Sequence, residues 1–392
     1  MKKALVIATV SGFLMKFEMQ DVQILQNMGY EVHYASNCDV PIYEFDADEL
    51  ARKGVRMHPI PIEKSLFCMK RNARALRMTE ELIRTEQIQL IHCHTPVGGL
   101  VGRLAGRRCR DLGVRVIYTA HGFHFYRGCA LKDYLIFHTA EKMLARATGA
   151  LVVINGEDFE SASSFRLKEN GRVYRIPGVG LDLKKFRPIT DERRREVRKC
   201  LGVGENELLF LSVGEINRNK NHIAILRTLA RMREEGSDLK NFRYLVYGDG
   251  PVRRHLERWV RRNDLEGTAI LPGYCSAPEE IYGAADLFFF PSRREGLGMA
   301  ALEALACGVP VIAADNRGSR EYILPGENGW LCRWDSPEDY IAAFRQWDRL
   351  TPEEKSAIRE NCRASAEKFD RKYAACVMEQ MYRETDVLIG DG

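Results

Sequence analysis

RIPGVGLDLKKF, residues 175–186, interrupts a repeating pattern that starts again on its far side. Pro177, Gly178 and Gly180 punctuate the stretch and mark it as a linker. Upstream, apolar strand-like segments fall at about 4–9, 31–35, 55–59, 89–93, 115–120 and 151–154, with amphipathic stretches near 17–28, 70–86, 97–112 and 131–148. Downstream, strands read near 208–213, 243–248, 268–271, 286–290 and 309–313, and helices near 220–234, 251–263, 277–285 and 298–307. Such alternation predicts parallel sheets covered by helices on both faces. The chain therefore reads as an α/β protein of two doubly wound, Rossmann-like domains, 1–180 and 181–369. The tail is helical and charged over roughly 352–386, and its last helix, about 370–392, is expected to pack back on the first domain. In such folds ligands bind beyond the carboxyl ends of the strands, here expected in a cleft with the two domains facing across it.

Length and composition fit this division. At 392 residues the chain exceeds the size at which a single core keeps growing. A formal net charge of +5 is too mild for an obligate nucleic-acid binder, and no basic run interleaved with aromatics offers a stacking platform. The charge is uneven: residues 1–180 hold 25 basic against 19 acidic side chains, and the remainder 34 against 35. A basic first half suits an anionic partner such as a phosphate-bearing substrate or a membrane surface. Eleven scattered cysteines without a CxxC pair read as reduced thiols in a cytosolic chain. His92-Cys93-His94 lacks a second ligand pair at zinc spacing. The start, MKKALVIATVSGF, imitates a signal peptide but reads better as a buried first strand followed by a turn at Ser11-Gly12. No stretch of 18 uncharged apolar residues is present to span a membrane. The segment 65–77, SLFCMKRNARALR, mixes apolar residues with Lys70, Arg71, Arg74 and Arg77 and suits docking on anionic lipid.

The segment EGLGMAALEALACGVPVIAAD, residues 295–315, places Glu295 and Glu303 in surroundings that are otherwise small and apolar. Pro291 ends the strand before it, SRREGLG makes a turn, and a helix then runs until Gly308 and Pro310 stop it. If both acids were helical they would stand ~12 Å apart along the axis. That separation exceeds the roughly 5–9.5 Å of a glycosidase carboxylate pair. Between them the helix start presents the backbone N–H groups of Gly296, Gly298 and Met299, a setting that binds phosphate without side chains. Hydroxyls at one end, a diphosphate in the middle and a ribose at the other describe a nucleotide sugar.

This segment, together with HCHTPVGGLVGRLAGR (92–107), VIYTAHGFHFYRG (116–128), RIPGVGLDLKKF, SVGEINRNKNH (212–222) and VYGDGP (246–251), resembles glycosyltransferase family 4. The members it is similar to build bacterial capsule and exopolysaccharide, and the resemblance covers nearly the whole chain. It implies the GT-B fold, an acceptor-binding first domain, a donor-binding second domain and retention of anomeric configuration. By the same resemblance Glu295 contacts the donor sugar's hydroxyls, Glu303 holds the ribose, and Lys220 neutralises the departing diphosphate. Gly296, Leu297, Gly298, Met299, Gly12, Gly214 and Gly248 line the donor path. His121, after strand 115–120, matches the family histidine near the reacting carbon, and His94, Phe123 and His124 are acceptor-side candidates. Many members carry an arginine where this chain has Glu215, so Arg218, Arg293 or Arg294 must take that duty.

The implied reaction moves a hexose or N-acetylhexosamine from a nucleotide sugar, UDP-linked by expectation, to a polyprenyl-diphosphate-linked glycan. No cofactor or metal is expected: Asp46-Ala47-Asp48 imitates the metal-binding motif of a different glycosyltransferase fold but reads as loop. The implied location is cytoplasmic, with peripheral contact at the inner face of the cell membrane. Two rivals share the fold, a nucleotide-sugar epimerase and a non-catalytic nucleotide-sugar-binding protein. Glu215 supports the second, while the spacing of Glu295 and Glu303 argues against the first. Gly98, Gly102 and Gly106, four residues apart, predict a smooth helix face for close packing.

Overall fold

The computed structural model describes residues 1–39 and 43–390, with side chains to residue 387. The chain divides into two compact units: Met1–Gly180 together with the segment from Arg371 onward, and Leu181–Asp370.

In the first unit the elements run β1 (Lys2–Val10), α1 (Met19–Asn27), β2 (Tyr30–Asn37), α2 (Ala47–Arg52), β3 (Val55–Pro59), α3 (Met69–Glu86), β4 (Leu90–His94), α4 (Pro96–Arg108), β5 (Arg115–Ala120), α5 (Leu131–Ala145), β6 (Ala150–Val153), α6 (Gly156–Ser163) and β7 (Arg172–Arg175). The sheet order is β3-β2-β1-β4-β5-β6-β7, and every pairing is parallel. Strands buried on both faces read as unbroken apolar runs, as β1 does from Ala4 to Val10. Helix α4 lies close on the sheet because glycines stand where it approaches the strands. A Cβ on Gly102 would overlap Cys93 Sγ, one on Gly106 would overlap Val116, and one on Gly98 would stand 3.3 Å from Ala8 Cα. That is the packing role the glycine spacing predicts. Between these glycines Arg103 is buried, paired with Glu141 of α5 at 2.6 and 3.2 Å and stacked 3.9 Å from the Tyr118 ring.

The second unit runs α7 (Asp191–Cys200), β8 (Leu208–Val213), α8 (Ile223–Glu234), β9 (Phe242–Tyr247), α9 (Arg253–Arg262), β10 (Ala269–Gly273), α10 (Glu279–Ala284), β11 (Leu287–Phe290), α11 (Met299–Ala306), β12 (Val311–Ala314), β13 (Gly329–Cys332), α12 (Pro337–Asp348) and α13 (Pro352–Glu367). Its sheet, β10-β9-β8-β11-β12-β13, is also parallel throughout. Strand order reverses direction between β1 and β4 in the first sheet and between β8 and β11 in the second. These are the points where open α/β sheets take up ligands.

Several elements escape sequence periodicity. β7 (RVYR) is a polar edge strand, and α7 (DERRREVRKC) buries only Val197 and Arg198. The tail consists of two helices. Residues 368–370 separate α13 from α14 (Arg371–Gly390), and α14 belongs to the first unit. There Asp386 pairs with Lys2 at 2.7 Å and accepts from Tyr30 Oη at 2.5 Å, and Glu384 accepts from Tyr174 Oη at 2.6 Å. Asp46 is not a loop residue free for metal binding. It caps α2, accepting from the backbone N–H of Asp48 and Glu49.

Candidate functional site

In the second unit, two loops leave the sheet at its switch point. The loop after β8 carries Gly214 to His222, and the loop after β11 carries Pro291 to Gly298. Side-chain amides stitch them together. Asn219 Nδ2 donates to the Arg294 carbonyl at 2.9 Å, and Asn221 Nδ2 donates to the carbonyls of Pro291 (3.2 Å) and Trp334 (2.8 Å). Asn217 turns back on its own loop, accepting from Lys220 N and donating to the Glu215 carboxylate, each at 2.9 Å. The result holds Lys220 Nζ 2.7 Å from Glu295 Oε1, with the ammonium 5.1 Å from the Phe290 ring centroid. A cation and a carboxylate thus meet where the fold takes up ligands.

Glu303 lies in the second turn of α11, and its Oε2 accepts from Tyr282 Oη at 2.8 Å. Each acid therefore has its own partner. Gly298 heads α11 at φ +98°, with no side-chain cap and no acidic residue in the first turn. A Cβ there would press on Phe290 and Tyr322, so only glycine turns this corner. Leu297 is buried, which leaves its backbone rather than its side chain to meet a ligand. Gly214 and Gly248 touch each other. A Cβ on Gly248 would overlap the Gly214 carbonyl, so chain-on-chain packing already demands a glycine there. Of the arginines, Arg293 stacks 4.3 Å over the Trp334 ring, while Arg218 is exposed and forms no ion pair among the described residues. Sequence reading missed Arg317, which is buried and donates from Nε to the Glu295 carbonyl at 3.2 Å. It lies outside the recognised motifs and gives no local signal.

The first unit has its own polar cluster at the β1/β4 switch point. Chain leaving β1 passes through Gly12, buried, whose carbonyl accepts from Lys16 N, into one π-helical turn, Leu14–Glu18. His94 ends β4 and His121 follows β5. His94 Nδ1 lies 3.2 Å from His121 Nε2, and Glu18 Oε1 lies 3.5 Å from each of those nitrogens. Burial holds His121 down at about 4 and His94 well below the usual imidazole range. Burial, with Asp21 alongside, pushes the Glu18 carboxyl well up. Tyr382 of α14 donates to Asp21 Oδ2 at 3.0 Å and so accepts from His92 Nδ1 at 2.6 Å; His92 Nε2 then accepts from Thr119 Oγ1 at 2.8 Å.

The three acceptor-side candidates differ in burial. His94 is fully buried and meets His121 rather than solvent. Phe123 belongs to the core, stacked on Phe125 at 4.8 Å with its N–H donating to Asp158. His124 is half-buried against the Phe137 ring. The triplet 92–94 splits its duties. Cys93 faces Gly102 of α4, and the two histidines share the opposite face of β4. Glu18 and Asp21 were hidden in a stretch that reads as an ordinary surface helix, and Tyr382 lay far away in the tail.

Two family models match. One described as "Glycosyl transferase 4-like" covers residues 2–155, and one described as "Glycosyl transferases group 1" covers residues 193–367. EpsD of Bacillus subtilis (strain 168), a glycosyltransferase by assignment, is 34% identical over 332 residues, 85% of this chain and 84% of that protein. The UDP-Gal:alpha-D-GlcNAc-diphosphoundecaprenol alpha-1,3-galactosyltransferase of Escherichia coli is 24% identical over 331 residues, 84% of this chain and 83% of that protein. Among solved structures, sucrose-phosphate synthase from Thermosynechococcus elongatus superimposes with a TM-score of 0.78 at 20% identity, covering 99% of this chain and 100% of that one.

Proposed function

The chain belongs to the glycosyltransferases of the GT-B fold, with a family 4-like first half and a group 1 second half, and from that premise we propose its donor, acceptor and site. The donor is a UDP-linked hexose or N-acetylhexosamine, and the acceptor is a hydroxyl of a glycan on a polyprenyl diphosphate in surface-polysaccharide synthesis. The E. coli relative, named for such a donor and such a carrier, supports both.

The observation that carries this reading is the Lys220–Glu295 pair, 2.7 Å apart, beside the uncapped start of α11. A donor diphosphate draws Lys220 away from Glu295 and sits against the backbone at Gly298 and Met299. Glu295, released, accepts hydrogen bonds from sugar hydroxyls, and Glu303 accepts from the ribose. The bond from the anomeric carbon to the diphosphate breaks as a bond to the acceptor oxygen forms, with retention. The acceptor's proton ends on the departing diphosphate. The leaving group gains negative charge in that step, so a fixed cation favours the transition state over the ground state. Arg218, exposed and without an ion pair among the described residues, reinforces Lys220. The family resemblance assigns His121 and Gly12, both in the first unit, to catalysis and donor binding. No metal is needed to hold the diphosphate.

No helix among the described residues is long and apolar enough to cross a membrane. The first unit does expose Phe67 (95%) and Met69 (75%) beside Lys64, Lys70 and Arg74. This supports peripheral docking on anionic lipid at the inner face of the cell membrane, where a polyprenyl-linked acceptor resides.

Thermal unfolding with UDP, GDP, ADP and CMP, each with and without magnesium, tests the donor site. UDP alone raises the midpoint, equally in both conditions. A ligand at 100 times its dissociation constant stabilises by about 2.7 kcal/mol. No shift with any nucleotide in folded protein would overturn the assignment.

A further inference from the structure

We propose that Glu18, His94 and His121 form a binding site for one divalent transition metal of zinc's type. The site is built from first-unit residues alone, and its effect on turnover rests on the role proposed above for His121.

Three ligand atoms converge there. Glu18 Oε1, His94 Nδ1 and His121 Nε2 stand 3.2, 3.5 and 3.5 Å from one another. Bonds of about 2.0–2.1 Å in tetrahedral geometry put ligand atoms about 3.4 Å apart. An ion therefore fits with shifts of only tenths of an ångström. The three residues come from separate elements, the turn after β1, the end of β4 and the start of the loop after β5. The sheet that aligns those elements thus pre-forms the site.

A second observation points the same way. Glu18 is 6% exposed, and its Oε1, the atom aimed at both imidazoles, has no hydrogen-bond partner among the described residues. A buried carboxylate oxygen without a partner is costly, and a cation would satisfy it. The surroundings resemble those of built metal sites. The Phe13 ring packs 5.4 Å from His94 and 5.2 Å from His121, closing one side with apolar surface. Asp21, which accepts from Tyr382, lies beside the Glu18 carboxyl as an outer partner. Two imidazoles and one carboxylate suit zinc, cobalt or nickel and disfavour magnesium, which prefers oxygen ligands in octahedral array. The three protein ligands leave a fourth position for water. Bound metal also occupies His121, so zinc slows sugar transfer and a chelator restores it.

The test uses the full chain stripped of metal and titrated with zinc against a chromophoric chelator. A parallel titration with cobalt reads the ligand type. One equivalent binds, and the cobalt spectrum shows tetrahedral d–d bands without a thiolate charge-transfer band, which separates this site from the eleven free cysteines. Glu18→Gln and His94→Gln each weaken binding by more than about 100-fold, beyond what loss of an outer partner gives. Should either buried variant unfold, His121→Gln, at a half-buried position, reports the same loss. Absence of saturable binding, or binding unchanged in folded Glu18→Gln and His121→Gln, overturns the proposal and leaves the cluster a hydrogen-bonded network. Because the readout is metal occupancy, its failure is independent of the donor assignment.

Discussion

Replacing Lys220 with methionine keeps an unbranched side chain and deletes the charge, which lies 5.1 Å from the Phe290 ring centroid. In the ligand-free protein this strands Glu295, whose side chain is 14% exposed and 2.7 Å from the ammonium. At an effective dielectric of about 20, opposite charges about 4 Å apart attract by about 4 kcal/mol, and desolvation offsets much of that. The net cost of stranding the carboxylate is then about 1–3 kcal/mol. For a unit of this size each kcal/mol lowers the midpoint by about 2–4 °C. Lys220→Met should therefore melt ~2–12 °C early. The double variant Lys220→Met/Glu295→Gln should recover part of the deficit, with a coupling of about 0.5–3 kcal/mol. Turnover tells the roles apart. If Lys220 stabilises the departing diphosphate, kcat falls about 100- to 1000-fold in Lys220→Met, and the double variant, although more stable, stays slow. Differential scanning fluorimetry and a coupled assay for nucleoside diphosphate release read both quantities. Strictly additive melting shifts, or turnover within threefold of the parent, would refute the reasoning.

Three further outcomes follow from the packing and the buried charges. Gly102→Ala forces a methyl group into Cys93 and costs about 1–3 kcal/mol in urea unfolding, whereas Gly267→Ala, with no atom near its Cβ, stays close to the parent. Arg103→Ala leaves Glu141 unpaired and costs about 3–5 kcal/mol, while Arg103→Lys keeps charge but loses the fork and the Nε bond to the Gly99 carbonyl, and recovers only part of it in the same measurement. His222 is buried, and burial, with Lys220 next to it, holds its pKa down to about 3. Below the unfolded value of about 6.5 the unfolded chain takes the proton first, so stability falls with pH by about 1.4 kcal/mol per unit. His222→Gln should flatten the acid limb of the stability curve between pH 6 and 4, and an unchanged slope would dismiss the titration.

Strands of the central sheets were legible because burial on both faces writes them as unbroken apolar runs, as in β8 and β11. Gly102 and Gly106 were legible because only missing side chains let a helix lie that close. Edge strand β7 and helix α7 were not, since neither buries a full apolar face. The donor loops announced themselves through Glu295, Glu303 and Lys220, which sit within short motifs. Partners that complete those motifs came from elsewhere in the chain. Tyr282 against Glu303 and Arg317 against the Glu295 backbone depend on how α10 and the segment after β12 fold back. The cluster of Glu18, His94 and His121 shows the same limit. Its members are 76 and 27 positions apart along the chain, and only a parallel sheet with neighbouring β1, β4 and β5 makes them adjacent.

Helix α14 also sets a timetable. The first unit is discontinuous, and residues that tie down β1, β2, β4 and β7, namely Tyr382, Glu384 and Asp386, leave the ribosome only after all of Leu181–Asp370. At roughly 5–20 residues per second, that is a delay of about 10–40 s during which β1–β7 stand without their last helix. The second unit, contiguous in the chain, can close first. Chaperone contacts during synthesis should therefore concentrate on the older half of the nascent chain, and a stop codon near 370 should leave the younger half folded and the older one exposed.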